Sequence, residues 1–271
     1  MKHLGHIIAI NNQKGGVGKT TSVVNIGKNI AEKGYKVALI DIDPQSDLTT
    51  AIYPADELPE GVEIETPEGL RPGMKNSYIF FKGENMPVAD TIVFGVDVGI
   101  DIFPTTSQLA NLEKDGFEVI STFQEKVRTL AEDYDFILID TPPGMGNLQT
   151  AALAAATKVL IPTTLETFSI KNLNKLIAMI GNLKKTGNPE VEILGIFATA
   201  SKAQKTKLMN HYLGELAEDF PGMIFKSEIT SSTDVATALA LGMSINEYKP
   251  KAKQAKQFKD LTKEILEGVG V

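Results

Sequence analysis

Cysteine is absent from the 271-residue chain, and that removes several chemistries at once. There is no disulfide framework, no thiolate zinc site and no cysteine-held iron–sulfur cluster. A chain of this length buries a sizeable core without such staples, and the lack of cysteine fits a reducing compartment. Arginine is nearly as scarce: Arg71 and Arg128 are the only ones, so every other positive charge is a lysine. Planar, bidentate recognition of phosphate or guanine is therefore limited, and polyanion binding would rest on lysine point charges. Long apolar runs are missing too, since none approaches the ~18 residues a membrane helix needs. The apolar stretch after Lys2 runs into Asn11-Asn12-Gln13-Lys14 without a small-residue cleavage site. No signal peptide is expected, and a cytoplasmic location is.

A basic excess is the last absence. The formal net charge is −7, which argues against a surface that coats nucleic acid generally. The charges are unevenly placed. Residues 54–101 hold ten acids against three bases, whereas residues 249–271 hold six lysines against three acids. With 42% apolar and 23% charged residues, the composition is that of a globular protein.

Strand-like and helix-like segments alternate along the chain. Apolar runs at 6–10, 36–40, 136–139, 159–161 and 192–198 read as buried strands. Helical spacing predicts helices at 19–33 and near 107–132, 147–157, 169–185, 205–218 and 253–267. This order implies an α/β fold with a single doubly wound, mostly parallel sheet and helices on both faces. The chain reads as one domain over 1–271. Residues 54–99, rich in Pro, Gly and acid, read as an irregular acidic surface excursion on it.

The chemistry is concentrated between the first strand and the first helix, in Lys14-Gly15-Gly16-Val17-Gly18-Lys19-Thr20-Thr21. Glycines let the backbone turn so that successive N–H groups face phosphate oxygens, and the following helix adds its positive end. In this P-loop pattern Lys19 reaches the β- and γ-phosphates of ATP and the Thr20 hydroxyl ligates Mg²⁺. Gln13 stands where the general motif wants glycine, and the extra Lys14 marks the deviant Walker A form. Asp41 and Asp43 follow the second strand, and Asp140 ends the strand Phe136-Ile137-Leu138-Ile139. Neighbouring parallel strands end along one crevice, which places these acids beside the P-loop. Asp140 suits a Walker B role, holding Mg²⁺ through water, with Asp41 a lesser candidate ligand. Asp43 suits orienting the water that attacks the γ-phosphorus.

Those motifs resemble the ParA/Soj partition ATPases. The likeness is carried by Gln13 to Thr21, by Asp41-Ile42-Asp43-Pro44-Gln45 and by Asp140-Thr141-Pro142-Pro143-Gly144. It extends to Asp101-Ile102-Phe103-Pro104 with Gln108-Leu109, to Ile161-Pro162 with Glu166, and to Phe258, Leu261 and Glu264-Ile265. The resemblance implies a deviant-Walker P-loop NTPase with weak intrinsic ATPase activity that forms an ATP-sandwich homodimer. In such a dimer Lys14 crosses to the partner's phosphates and Asp43 serves hydrolysis. It also implies non-specific DNA binding and a centromere-binding, ParB-like partner that stimulates hydrolysis.

Related branches separate by what they carry. The iron–sulfur members need cysteines. MinD-type members end in a membrane-binding basic amphipathic helix, whereas Phe258, Leu261, Ile265 and Leu266 have the spacing of a face packed on the core, so no membrane partner is expected. An Ile-Pro-Arg element tied to DNA binding in many ParA-like chains is matched here by Ile229-Thr230-Ser231. Without that arginine, DNA contacts fall to Lys202, Lys205 and Lys207, or to Lys249, Lys251, Lys253, Lys256 and Lys259, unless these are solvated helix faces. Two other functions stay open: a nucleotide-switched adaptor that positions a protein complex without DNA as its track, and ATP-dependent biosynthesis.

Overall fold

Residues 6–10, 37–41 and 136–140 are almost wholly apolar, and a strand of that kind is stable only where helices cover both its faces. The computed structural model describes residues 4–53, 63–66, 69–72, 76–82, 93–97, 99–165, 167–201 and 206–271, and it arranges them to meet this demand. In chain order the strands are β1 (His6–Ile10), β2 (Val37–Asp41), β3 (Glu63–Thr66), β4 (Gly69–Pro72), β5 (Val93–Asp97), β6 (Ile100–Phe103), β7 (Phe136–Asp140), β8 (Lys158–Thr164), β9 (Glu192–Ser201) and β10 (Ile224–Thr230). The helices are α1 (Lys19–Ala31), α2 (Asp47–Ile52), α3 (Glu118–Leu130), α4 (Asn147–Ala155), α5 (Thr167–Thr186), α6 (Lys207–Asp219), α7 (Thr233–Ala240), α8 (Ile245–Tyr248) and α9 (Lys253–Val269).

One sheet runs β10-β9-β8-β1-β7-β2-β6-β5, and every pairing in it is parallel except that of β5 with β6. β1 lies between β8 and β7, so successive connections diverge from its carboxyl end and leave a crevice there. Ile7 and Ala9 of β1 pack in one layer with Phe123 and Val127 of α3, Ala151 of α4 and Leu176 of α5. Ile8 and Ile10 point the other way, into a layer with Val23 and Ile26 of α1 and Phe258 and Leu261 of α9. The apolar face of α9 is thus buried in the core. No helix among the described residues is long and apolar enough to cross a membrane.

Two expectations change. The helix read over 107–132 is divided: a 3₁₀ helix covers Ser107–Lys114, and α3 begins only at Glu118, after Asp115-Gly116-Phe117. Nor is the 54–99 segment wholly an irregular surface excursion. β3 and β4 pair as an antiparallel hairpin, β5 joins the sheet, and Ser77–Phe81 forms a 3₁₀ turn. Phe80 and Phe81 are buried, with Phe81 stacked on Phe123 at 4.5 Å between ring centroids. Burial of those two rings outweighs the polar composition around them.

The C-terminal elements are clamped to α1. Lys28 donates to both carboxylate oxygens of Glu247 (2.8 and 3.0 Å) and to the Gly242 carbonyl (3.2 Å). The Ile245 amide donates to Asn25 Oδ1 at 2.8 Å. Burial pushes the Glu247 carboxyl up, but hydrogen bonds from Lys28 and Ser244 prevail and hold it below its ordinary value of 4.5. Lys28→Met is expected to cost about 1–2 kcal/mol, less than a fully buried pair because Glu247 keeps partial access to water. A depressed carboxyl contributes its stability above its unfolded value and loses it as the pH falls through the folded one. Urea denaturation of both proteins should therefore show a gap at pH 7 that shrinks below pH 4.5.

Candidate functional site

The phosphate loop is launched by Asn12, the second residue after β1. Asn12 Nδ2 donates to the Pro162 carbonyl (2.7 Å), and Asn12 Oδ1 accepts from the Lys14 amide (2.9 Å). Gly16 and Gly18 then take left-handed φ values of 71° and 81°, which side chains with a Cβ rarely adopt. Thr199 of β9 donates its hydroxyl to the Val17 carbonyl at 2.8 Å and fixes the loop from the far side. Helix α1 starts with no acidic residue in its first turn and no side-chain cap, so its leading amides face the loop. An anion placed there meets free N–H groups and the positive end of the helix.

Gly15 to Thr21 border a cavity of about 810 Å³, which Lys14 does not line. Asp43, Gln45 and Asp47 form one side of it, Pro143 another, and α7 closes the far end with Val235, Ala236 and Leu239. Lys14 instead donates its Nζ to Thr164 Oγ1 of the same chain at 3.1 Å. Ser231 and Ser232, with Thr199 and Ala200, complete the wall near α7.

Lys19 is buried, and burial lowers its ammonium, opposed by Asp140, Asp43 and Asp47 in that order. Asp140 is fully buried. Burial, then the nearby Asp41 charge, raises its carboxyl well above the ordinary range, against the Thr20 hydrogen bond and Lys19. Thr20 Oγ1 donates to Asp140 Oδ2 at 2.7 Å, while Oδ1 is buried without a hydrogen-bond partner. Asp43 accepts the Gln45 amide on Oδ1 at 3.0 Å, and burial raises its carboxyl.

The charged groups present fit a hydrated Mg²⁺. One buried carboxylate oxygen stands unpaired next to a threonine hydroxyl. Among the described residues no cluster of three His, Asp or Glu forms a cage, so phosphate and water would supply the other ligands.

Asp41 is held by the protein itself. Its Oδ1 accepts the Asp43 amide (3.0 Å), and Oδ2 accepts both the Thr49 amide (2.8 Å) and the Thr49 hydroxyl (2.6 Å). Burial lifts its carboxyl to about 7. With both oxygens engaged in hydrogen bonds, Asp41 ties α2 to β2 and shapes the Asp43 turn. The lysines also divide. Lys249 is ion-paired with Asp234 at 2.8 Å, while Lys251, Lys253 and Lys256 are exposed at the start of α9. Lys202, Lys205 and Glu166 lie outside the described residues. Thr49 and Thr199 escaped the sequence reading: a lone threonine in a helix or strand carries no motif, and only the folded register gives it a partner.

Comparison with known proteins bears on this geometry. The AAA_31 family, an AAA domain, matches residues 5–193. The chain is 31% identical over 268 residues to the sporulation initiation inhibitor protein Soj of Bacillus subtilis, spanning 97% of this chain and 98% of that one. It is 29% identical to the chromosome-partitioning ATPase Soj of Thermus thermophilus, over 96% of this chain and 94% of the relative. Among solved structures, an ATP complex of Cyanothece McdA superposes with a TM-score of 0.82 at 22% identity, covering 100% of this chain and 98% of that one; at that identity the likeness concerns the fold.

Two substitutions should separate binding from folding. Lys19→Ala removes a buried charge-assisted contact worth about 3 kcal/mol and should weaken ATP binding at least ~100-fold by calorimetry. Asp41→Ala leaves Thr49 and the Asp43 amide unpaired, and should lower stability by about 2–3 kcal/mol in denaturant titrations. A stable Asp41→Ala protein with only a weakened Mg²⁺ response would place Asp41 in the ligand set.

Proposed function

The chain belongs to the ParA/Soj family of partition ATPases, and from that premise we propose that it is an ATP-switched dimer that uses DNA as its track. Bound ATP closes two copies face to face, the closed dimer holds duplex DNA without sequence preference, and a ParB-like partner on a centromere stimulates hydrolysis and release. At the site Lys19 holds the β- and γ-phosphate oxygens, with the loop amides and the α1 terminus sharing their charge. Thr20 and Asp140 hold Mg²⁺, which when bound offsets charge on the transferring phosphoryl group. Asp43, with one carboxylate oxygen taken by the Gln45 amide, offers the other to orient the attacking water. Lys14 exchanges its bond to Thr164 for the phosphates of the second copy as the dimer closes.

The observation that supports the DNA reading is the placement of the exposed lysines. Gln254 of α9 donates to Thr230 Oγ1 at 2.9 Å, which fixes the start of α9 at the carboxyl end of β10. Lys251, Lys253 and Lys256 therefore stand at the same end of the sheet as the nucleotide cavity, whose wall includes Phe258. Closure of a dimer over that end doubles the patch, and phosphate contacts accumulate steeply.

The test is a filter-binding titration on random-sequence duplex with and without ATP. Binding should require ATP and weaken with salt, each neutralised phosphate adding ~0.9 to the log–log slope. Reversing Lys251, Lys253 and Lys256 to Glu should abolish it. Unchanged binding in the triple variant would make these lysines solvated helix-face residues. A wild type that binds under no condition would favour the adaptor function over the partition one.

A further inference from the structure

The turn after β7, residues 141–146, rests on the phosphate loop. Thr141 donates its hydroxyl to the Ile10 carbonyl (2.8 Å), and the Gly144 amide donates to the Gln13 carbonyl (2.9 Å). Beneath this turn are two amide side chains that nothing in the proposed chemistry uses. Asn11 and Gln149 are both 0% exposed. The Asn11 amide donates to the Leu160 carbonyl (3.0 Å) and so prolongs the β1–β8 ladder. That register puts its side chain on the face of Ile7 and Ala9, the face packed by α4. Gln149 stands in the first turn of α4, and its Nε2 makes only a long bond, 3.4 Å, to the Pro142 carbonyl. Among the described residues no group pairs with Asn11 Oδ1, Asn11 Nδ2 or Gln149 Oε1, and Asp140 Oδ1 in the neighbouring strand is in the same condition.

Buried amides without partners are unfavourable, and apolar residues of the same shape would fill the space at less cost. The surrounding backbone has little to offer them. Peptide groups of β1, β7 and β8 are committed to the sheet, and at the start of α4 the Asn147 and Leu148 amides donate to the Glu113 carboxylate (2.6 and 3.4 Å). Residues 141–146 are irregular backbone next to both: Pro142 already accepts from Gln149, and the pairing of Ile10 with Asp140 brings Thr141 beside Asn11.

We propose that Asn11 and Gln149 are positioning residues that pair with the 141–146 turn when it closes on a bound triphosphate, and so couple occupancy of the site to the shape of its rim. The inference rests on the ATPase reading of the site. A ligand shifts a conformation only through interactions that differ between its two states, and partners gained by these amides in one state alone supply such a difference. The link to the nucleotide is short: Thr20, on the phosphate loop, is bonded to Asp140, the residue that precedes the turn.

Thermal melts of the full chain test this for the wild type, Asn11→Leu and Gln149→Met. Each is melted without nucleotide, with ADP and Mg²⁺, and with a non-hydrolysable ATP analogue and Mg²⁺. The apolar variants should melt without nucleotide at the wild-type Tm or up to about 4 °C above it. Their response to ADP should match the wild type, while the extra stabilisation by the analogue over ADP falls to less than half. That analogue-over-ADP difference decides: if it is kept, the proposal is overturned whatever the resting Tm does. Gln149→Met, a change on a helix that accepts either residue, carries the test if Asn11→Leu does not fold. A wild type stabilised equally by analogue and ADP overturns the coupling while nucleotide binding stands, and one stabilised by neither removes the ATPase reading with it.

Discussion

A lysine ammonium and three carboxylates are kept almost wholly out of water at the ends of β1, β2 and β7, and the rest of the molecule is arranged to make that tolerable. Lys19, Asp41, Asp43 and Asp140 are each under 9% exposed. Burial drives the ammonium down and the carboxyls up, so each group is pushed toward its neutral form while its neighbours pull it back. Asp41 is satisfied by Thr49 and the Asp43 amide, but Asp140 retains an unpaired oxygen. A resting site with surplus buried polarity gains most from a ligand that brings phosphate oxygens to Lys19 and a cation to Asp140. Affinity for a nucleotide with its metal is, on this view, the relief of a constraint imposed by the sheet.

The sheet imposes it because β1 is flanked by parallel partners on both sides. Three carboxyl ends converge there, and helices cover both faces of the central strands. The cavity is completed by the last third of the chain, through α7 and Phe258. Lys28 and Asn25 tie α1, the helix that begins at the phosphate loop, to the α7–α8 turn. A chain of contacts therefore runs from the phosphate loop toward the segment that carries the exposed lysines, as the proposed nucleotide-controlled DNA contact would require.

Much of this was legible in the residues. A strand, a glycine-rich loop and a helix in unbroken order left the phosphate loop little freedom, and an apolar run ending in Asp140 placed that acid by sheet topology alone. The apolar spacing of α9 likewise announced a core face. What escaped were features set by partners distant in sequence. The bonds of Asp41 to Thr49 and the ion pair of Lys249 with Asp234 are set by partners that no local pattern announces. Phe80 and Phe81 sit in a polar, proline-rich stretch whose composition hides two core residues. Asn11 carries no motif of its own, and only the ladder bond to Leu160 turns its side chain inward.

In the proposed dimer the state of the nucleotide, read through Asp43, decides the assembly. Sedimentation velocity on Asp43→Ala, in ATP with Mg²⁺ and separately in ADP with Mg²⁺, addresses it directly. Loss of a water-orienting carboxylate slows hydrolysis while leaving the binding interactions in place. The variant should therefore persist as a dimer in ATP and remain a monomer in ADP. A monomer in saturating ATP, with nucleotide shown to be bound, would contradict the account.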